Sequence, residues 1–321
     1  MSMISRLLLS VLFVCCAEAN AQGYPNKAIR IIVPSPAGGP TDVLTRLIAE
    51  KMAESFGHPV LADNRPGANS IIGAQAVAKA SPDGYTLLMA LDSTLSLNPS
   101  LFAKLPYDPQ KDFAPITRTA SSPIILIVDA ASGPKSIQDL LQQAKAAPGK
   151  LSFGTGTPPT RLGGELLKSM AGVDMLNVPF KSSTGTVQGL LSRDVTFILD
   201  GVPAALPHIK SGKFRVLANL SSLPIEALPG LPLLSAEPGM QGYEVVVWLG
   251  LVAPAGTPAD IVGKLHQETV RILGLPEIRA KLSNIGLIPV TSTPSEFSSF
   301  IRTETERWGR VIRQAGIKLD Q

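Results

Sequence analysis

The chain has 321 residues, 45% of them hydrophobic and 17% charged, with a formal net charge of +4. That balance excludes a disordered, charge-rich tail, and a chain of this length normally divides into about two domains. Aromatic residues make up only 5% and the basic residues are scattered, which argues against a nucleic-acid surface built on base stacking or a phosphate-tracking stripe. Arg307, Arg310 and Arg313 alternate with Glu304 and Glu306 and read as a solvated helix face.

Residues 1–21 read as a removable export signal. Arg6 supplies the positive start, residues 7–17 form a short apolar run, and Ala19-Asn20-Ala21 is a small-x-small cleavage site. The run is too short to span a bilayer, which needs about 20 residues. Both cysteines, Cys15 and Cys16, fall inside it, so the exported chain is expected to carry no thiol or disulfide. Val14 before Cys15 argues against lipid anchoring. The expected location is a bacterial periplasm.

Beyond the signal, strand and helix patterns alternate. Strands are predicted over 28–33, 60–62, 85–91, 124–128, 151–153, 176–178, 195–199, 215–219 and 245–252. Helices are predicted over 43–56, 71–80, 136–147 with Ser136 as N-cap, 258–273 and 294–315. Near-continuous apolar strands alternating with helices imply parallel sheets covered on both faces. Two α/β domains are therefore expected, one of residues 22–123 plus 250–321 and one of 124–249.

In open α/β sheets ligands sit beyond the C-terminal ends of strands, where helix N-termini present free N–H groups. Four loops are placed there. The first carries Ser35, Ala37, Gly38, Gly39, Thr41 and Asp42, with Pro40 set to open a helix. The second carries Gly154, Thr155, Gly156 and Thr157, followed by two prolines and Arg161. It matches neither a dinucleotide fingerprint nor a phosphate-binding P-loop, so no nucleotide cofactor is expected, and its neutral donors suit a small carboxylate. The third carries Asp92, Ser93 and Thr94, and the fourth begins with Asp200 at the end of an apolar strand. Asp42 and Asp200 are equally readable as helix caps. No GxSxG elbow, HExxH pair or metal-spaced cluster occurs, and His58, His208 and His266 read as packing or surface histidines.

At these loops the chain resembles the tripartite tricarboxylate transporter substrate-binding proteins, the Bordetella uptake gene family. The resemblance runs in order through YPNKAIRIIVPSPAGGPTD, DNRPGANSIIGAQAVAKASPDGYTLL, KLPYDPQKDFAPI, GELLKSMAGVDMLNVPFK, PAALPHIKSGKFRVLA, GLVAPAGTP and ERWGRVIRQAGIK. It implies a two-domain periplasmic-binding-protein fold of the Venus flytrap, type II-like kind, each domain a mostly parallel sheet flanked by helices. It also implies a monomer without cofactor or nucleic acid, which hands a small carboxylate to inner-membrane transporter subunits. In that family the first loop and the Gly/Thr loop hold the ligand carboxylate. Arg161, where the family pattern commonly has His, and Asp92, where small neutral residues are usual, are expected to retune specificity. Two other classes stay open: a ligand-presenting subunit for a membrane histidine kinase, and a periplasmic hydrolase.

Overall fold

The computed structural model describes residues 23–314, 316 and 317; the expected export signal and both cysteines lie outside them. The β-branched run IRIIV forms β1 (Ile29–Val33), whose side chains are buried except Arg30. Strand β1 leads into α1 (Pro40–Phe56), where Leu44, Leu47, Ile48 and Met52 recur at helical spacing and are buried together. Gly57 ends this helix in a left-handed conformation, its N–H bonded to the Ala53 carbonyl. β2 (Val60–Asn64), α2 (Ile71–Ala78) and β3 (Thr86–Leu91) follow. Strands β2 and β3 flank β1, both parallel to it. A π turn over Ser93–Leu97 and α3 (Asn98–Leu101) close this part.

Strand β4 (Phe113–Asp129) is 17 residues long and belongs to both halves of the sheet. Its first part pairs antiparallel with β9 (Val246–Pro254), from Phe113↔Pro254 to Pro123↔Val246. From Ile124 onward it pairs antiparallel with β7 (Phe197–Gly201) and β8 (Phe214–Asn219). A second parallel trio is built from β5 (Ser152–Thr155), β6 (Leu176–Pro179) and β7, with β5 in the middle. The strand order is β2-β1-β3-β9-β4-β7-β5-β6, with β8 and the short β10 (Ile288–Pro289) also paired to β4. The sheet is thus parallel on each flank and antiparallel through its centre. Strand β9 is apolar throughout because helices cover it, and burial on both faces does not depend on strand direction.

The remaining helices are α4 (Ile137–Ala146), α5 (Pro158–Ala171), α6 (Ser183–Leu191), α7 (Val202–Lys210), α8 (Ala259–Leu273), α9 (Pro276–Asn284) and α10 (Pro294–Gln314). Ser136 caps α4 as expected, its hydroxyl accepting the Asp139 N–H at 3.1 Å. One core lies under the first half, with Ile29, Leu44, Leu87, Leu251 and Leu265. Another lies under the second, with Leu126, Phe153, Leu167 and Phe197, and Trp308 and Ile312 of α10 insert into it. Among the described residues no helix is long and apolar enough to cross a membrane.

Candidate functional site

All four lie at or just past the C-terminal ends of parallel strands, with Gly154, Thr155 and Asp200 still within β5 and β7. Strands β1 and β3 are neighbours, so the first and third loops share one sheet edge. The Ser70 hydroxyl stitches the region together by donating to the Pro34 carbonyl at 3.1 Å. Strands β5 and β7 are neighbours too, which brings the second and fourth loops together.

The first loop is held from within by Asp42. Its buried carboxylate accepts the Gly38 N–H at 2.9 Å, the Arg46 Nε at 3.0 Å and the Asn64 Nδ2 at 2.9 Å. Burial pushes the Asp42 carboxyl up, but the bonds from Arg46, Gly38 and Asn64 outweigh it and leave the group below its ordinary value. This anchors Gly38 at φ +83°, a conformation that favours glycine. Asp42 therefore shapes the loop from below. What the loop offers outward is the N-terminus of α1: Gly39 is its N-cap, no side chain caps it, and Pro40 carries no N–H. Beside it the Ser35 hydroxyl oxygen is buried and has no partner among the described residues. Ala37 and Gly38 are exposed, and Thr41 is buried.

In the third loop Asp92 points inward. It is 5% exposed, accepts the Ser93 N–H at 2.6 Å, and lies near the Trp248 N–H of β9 and Glu304 of α10. Burial, reinforced by the Glu304 charge, pushes its carboxyl up to about 7. Ser93 is buried as well, and Thr94 presents a buried hydroxyl without a partner among the described residues.

The second loop uses most of its donors itself. Thr155 Oγ1 donates to Asn177 Oδ1 at 2.8 Å. Thr157 and Thr160 form a reciprocal capping box at the start of α5, and Pro158 and Pro159 bring no N–H. Gly154 is buried in β5. Gly156 lies against the start of α6, where an added Cβ would come within 2.7 Å of the Ser182 carbonyl carbon. Arg161 remains, with Nε buried and without a partner among the described residues. It faces a pocket of about 180 Å³ that Thr155, Gly156 and Thr157 also line. The first loop contributes no residue to this pocket. Sequence reasoning did not include its apolar walls, among them Leu101, Leu162, Phe180 and Ile317. Phe180 lay inside one of the resemblance blocks, and that was the available signal.

In the fourth loop the Asp200 carboxylate is buried against α6. It accepts the Ser183 hydroxyl at 2.6 Å, the Gly201 N–H at 2.7 Å and the Thr186 hydroxyl. Burial raises its pKa, and the three bonds only partly offset that. Asp200 thus ties β7 to α6. His208 packs on Phe214, and His266 Nε2 lies 3.1 Å from the Ser292 carbonyl. No group of three metal-ligating side chains occurs among the described residues.

A family profile described as "Tripartite tricarboxylate transporter family receptor" matches residues 44–317. Protein BugT of Bordetella pertussis is 34% identical over 306 residues, covering 94% of each chain. Among solved structures, R. palustris Rpa4515 with adipate is 32% identical with a TM-score of 0.79, covering 92% of this chain and 99% of that one. MatC (Rpa3494) from Rhodopseudomonas palustris with bound malate is 29% identical with a TM-score of 0.74, covering 90% of this chain and all of that one. A profile match over most of the chain and near-full-length relatives agree with the curled, helix-flanked sheet. The chain belongs to the tripartite tricarboxylate transporter receptor family, periplasmic solute-binding proteins of two-domain fold.

Proposed function

We propose that this chain captures a small carboxylate, an organic acid or an amino acid, in the cleft between its lobes and presents it to inner-membrane transporter subunits. The lobes are 22–123 with 250–321 and 124–249. The change of pairing in β4 at Pro123 supports the first crossing, and the start of β9 at Val246 puts the return near the second. The N-terminal stretch that reads as an export signal supports a periplasmic location, and the protein acts there as a monomer. Capture needs no cofactor and changes no bond.

The observation that carries this reading is the N-terminus of α1, without a side-chain cap, beside the Ser35 hydroxyl, which has no partner among the described residues. Together they form a neutral cradle that favours an anion. Relatives with adipate and with malate in their structures agree with a carboxylate. The second loop closes over the ligand from the other lobe. Closure is favoured only by the stronger contacts that the ligand makes in the closed state.

A thermal-shift screen of mono-, di- and tricarboxylates tests the reading. The right ligand at about 100 times its dissociation constant stabilises the fold by about 2.7 kcal/mol. Gly39→Val probes the cradle directly. Gly39 has φ −77° and its nearest neighbour to an added Cβ is Pro36 O at 3.7 Å, so the backbone accepts the side chain. The bulk stands over the helix N-terminus and removes the ligand shift, leaving the unliganded midpoint in place. A retained shift rejects the cradle.

A further inference from the structure

A pocket of about 200 Å³ lies where the two halves of the sheet meet α10, lined by residues outside the four loops. Phe300, Glu304 and Arg307 reach it from one face of α10, and Arg118 reaches it from the first part of β4. Leu223 and Glu244 come from the chain between β8 and β9, and Val246 begins β9. Its four charges fall into two kinds. Glu304 and Arg307 already meet, Arg307 Nη2 donating to Glu304 Oε2 at 2.9 Å. Arg118 and Glu244 do not. Arg118 donates Nη2 to the Ser121 hydroxyl at 2.9 Å and lays its guanidinium over the Phe300 ring at 4.1 Å. The Glu244 carboxylate accepts the Ser222 N–H and hydroxyl. Neither side chain has an ion-pair partner among the described residues. Burial pulls the Arg118 pKa down, and the Glu304 charge only partly offsets that.

A half-buried cation and a half-buried anion thus share one cavity without touching. A ligand that carries both opposite charges completes each of them. A polycarboxylate would bring its extra charge against Glu244 and Glu304, and an alkylamine would meet Arg118 and Arg307. The other walls, Leu223, Val246 and Phe300, are apolar. An apolar cavity of about 150 Å³ takes up a benzene ring, so an amino acid with an aliphatic side chain is within the size of this pocket.

We propose that this pocket is a second ligand site, for the zwitterion of an aliphatic amino acid such as leucine. The carboxylate pairs with the Arg118 guanidinium, the ammonium pairs with Glu244, and the side chain packs on Leu223, Val246 and Phe300. Arg118 and Glu244 belong to different halves, so a bound zwitterion favours the arrangement that holds them together. The site goes beyond carboxylate capture at the α1 cradle and does not depend on it.

The test is isothermal titration of the exported chain with L-leucine, with isocaproate, which lacks the amine, and with isoamylamine, which lacks the carboxylate. L-Leucine binds at least about tenfold tighter than either, because each analogue leaves one charge of the pocket unanswered. Arg118→Gln and Glu244→Gln each weaken L-leucine at least about tenfold, and Arg118→Lys recovers part of the first loss. Binding of L-leucine survives Gly39→Val. The two glutamine variants lie on separate segments and keep side-chain amides for Ser121 and Ser222, and circular dichroism confirms that each is folded. If isocaproate binds as tightly as L-leucine, the zwitterion class falls. If L-leucine binding is lost in Gly39→Val and kept in both glutamine variants, the amino acid sits in the cradle and the second site falls. If L-leucine does not bind, the second site falls while carboxylate capture stands.

Discussion

Burial, reinforced by the Glu304 charge, pushes the Asp92 carboxyl up to about 7. Below about pH 4 its carboxyl is protonated in both folded and unfolded chains. Between about pH 4 and 7 the folded chain keeps a proton that the unfolded chain releases, so stability falls as pH rises and levels off above about 7. Over about three pKa units the loss reaches about 4 kcal/mol. Asp92→Asn keeps an oxygen for the Ser93 N–H but cannot ionise. It is therefore more stable than the native chain at pH 8, and urea midpoints measured from pH 4 to 8 fall less steeply, the raised Asp200 carboxyl keeping part of the slope. Equal slopes for the two proteins would reject the buried, destabilised carboxylate. The same residue shows where sequence reading stops. A local window places Asp92 and Asp42 after strands and Asp200 at the end of one, but does not show which way each side chain turns. The Ser183 and Thr186 partners of Asp200 come from a neighbouring helix, and the Asn64 partner of Asp42 comes from a neighbouring strand. The Ser35 and Thr94 hydroxyls have no partner among the described residues, which only the packed structure reveals.

Helices and strands with strong periodicity, such as α1, α4 and β1, were legible because their burial pattern is local. The first part of β4 was not, and only its apolar end from Ile124 was expected as a strand. Thr117, Thr119 and Ser121 lie outside the predicted strands, yet all three are fully buried. Thr117 Oγ1 donates to the Ser292 carbonyl, Thr119 Oγ1 to Met89 Sδ, and Ser121 Oγ accepts from Arg118. Partners distant in sequence satisfy the two threonines and Arg118 of the same strand satisfies Ser121, so the polar pattern does not forbid a central strand. Strand β9, paired with this stretch, carries Gly250 where α10 presses closest. A Cβ there would stand 2.1 Å from Phe297 Cζ, and Phe297 is itself fully buried against Trp248. Gly250→Ala therefore forces the ring or the strand aside and costs about 1–3 kcal/mol. Urea denaturation reads this as a lower midpoint at unchanged slope. An unchanged midpoint would mean that the helix shifts freely on the sheet.

At the scale of the whole molecule, α10 joins the two halves of the sheet. Its N-terminal part supplies Phe297 and Ile301 to the cluster that includes Trp248 and Val252. Its C-terminal part supplies Trp308, Val311 and Ile312 to the core of the second half, together with Phe153 and Phe197. Arg307 on the same helix donates to the Glu244 carbonyl at 2.7 Å, just before β9 begins. The helix thus couples two cores that are also linked through β4, β9 and the Leu97 and Leu101 side chains, which reach the second core from the π turn and α3. Trp308 is the largest of its anchors in the second half, with its indole N–H bonded to Glu304 at 3.1 Å. Trp308→Ala removes that anchor and costs about 3–5 kcal/mol. It also leaves Trp248 as the only tryptophan, a fluorescent reporter buried in the first half. In the native chain, fluorescence and far-UV circular dichroism follow one cooperative transition in urea. In Trp308→Ala the second half unfolds at lower urea, so part of the dichroism is lost while Trp248 fluorescence still reports a folded first half. Coincident transitions in the variant would reject the stapling role of α10.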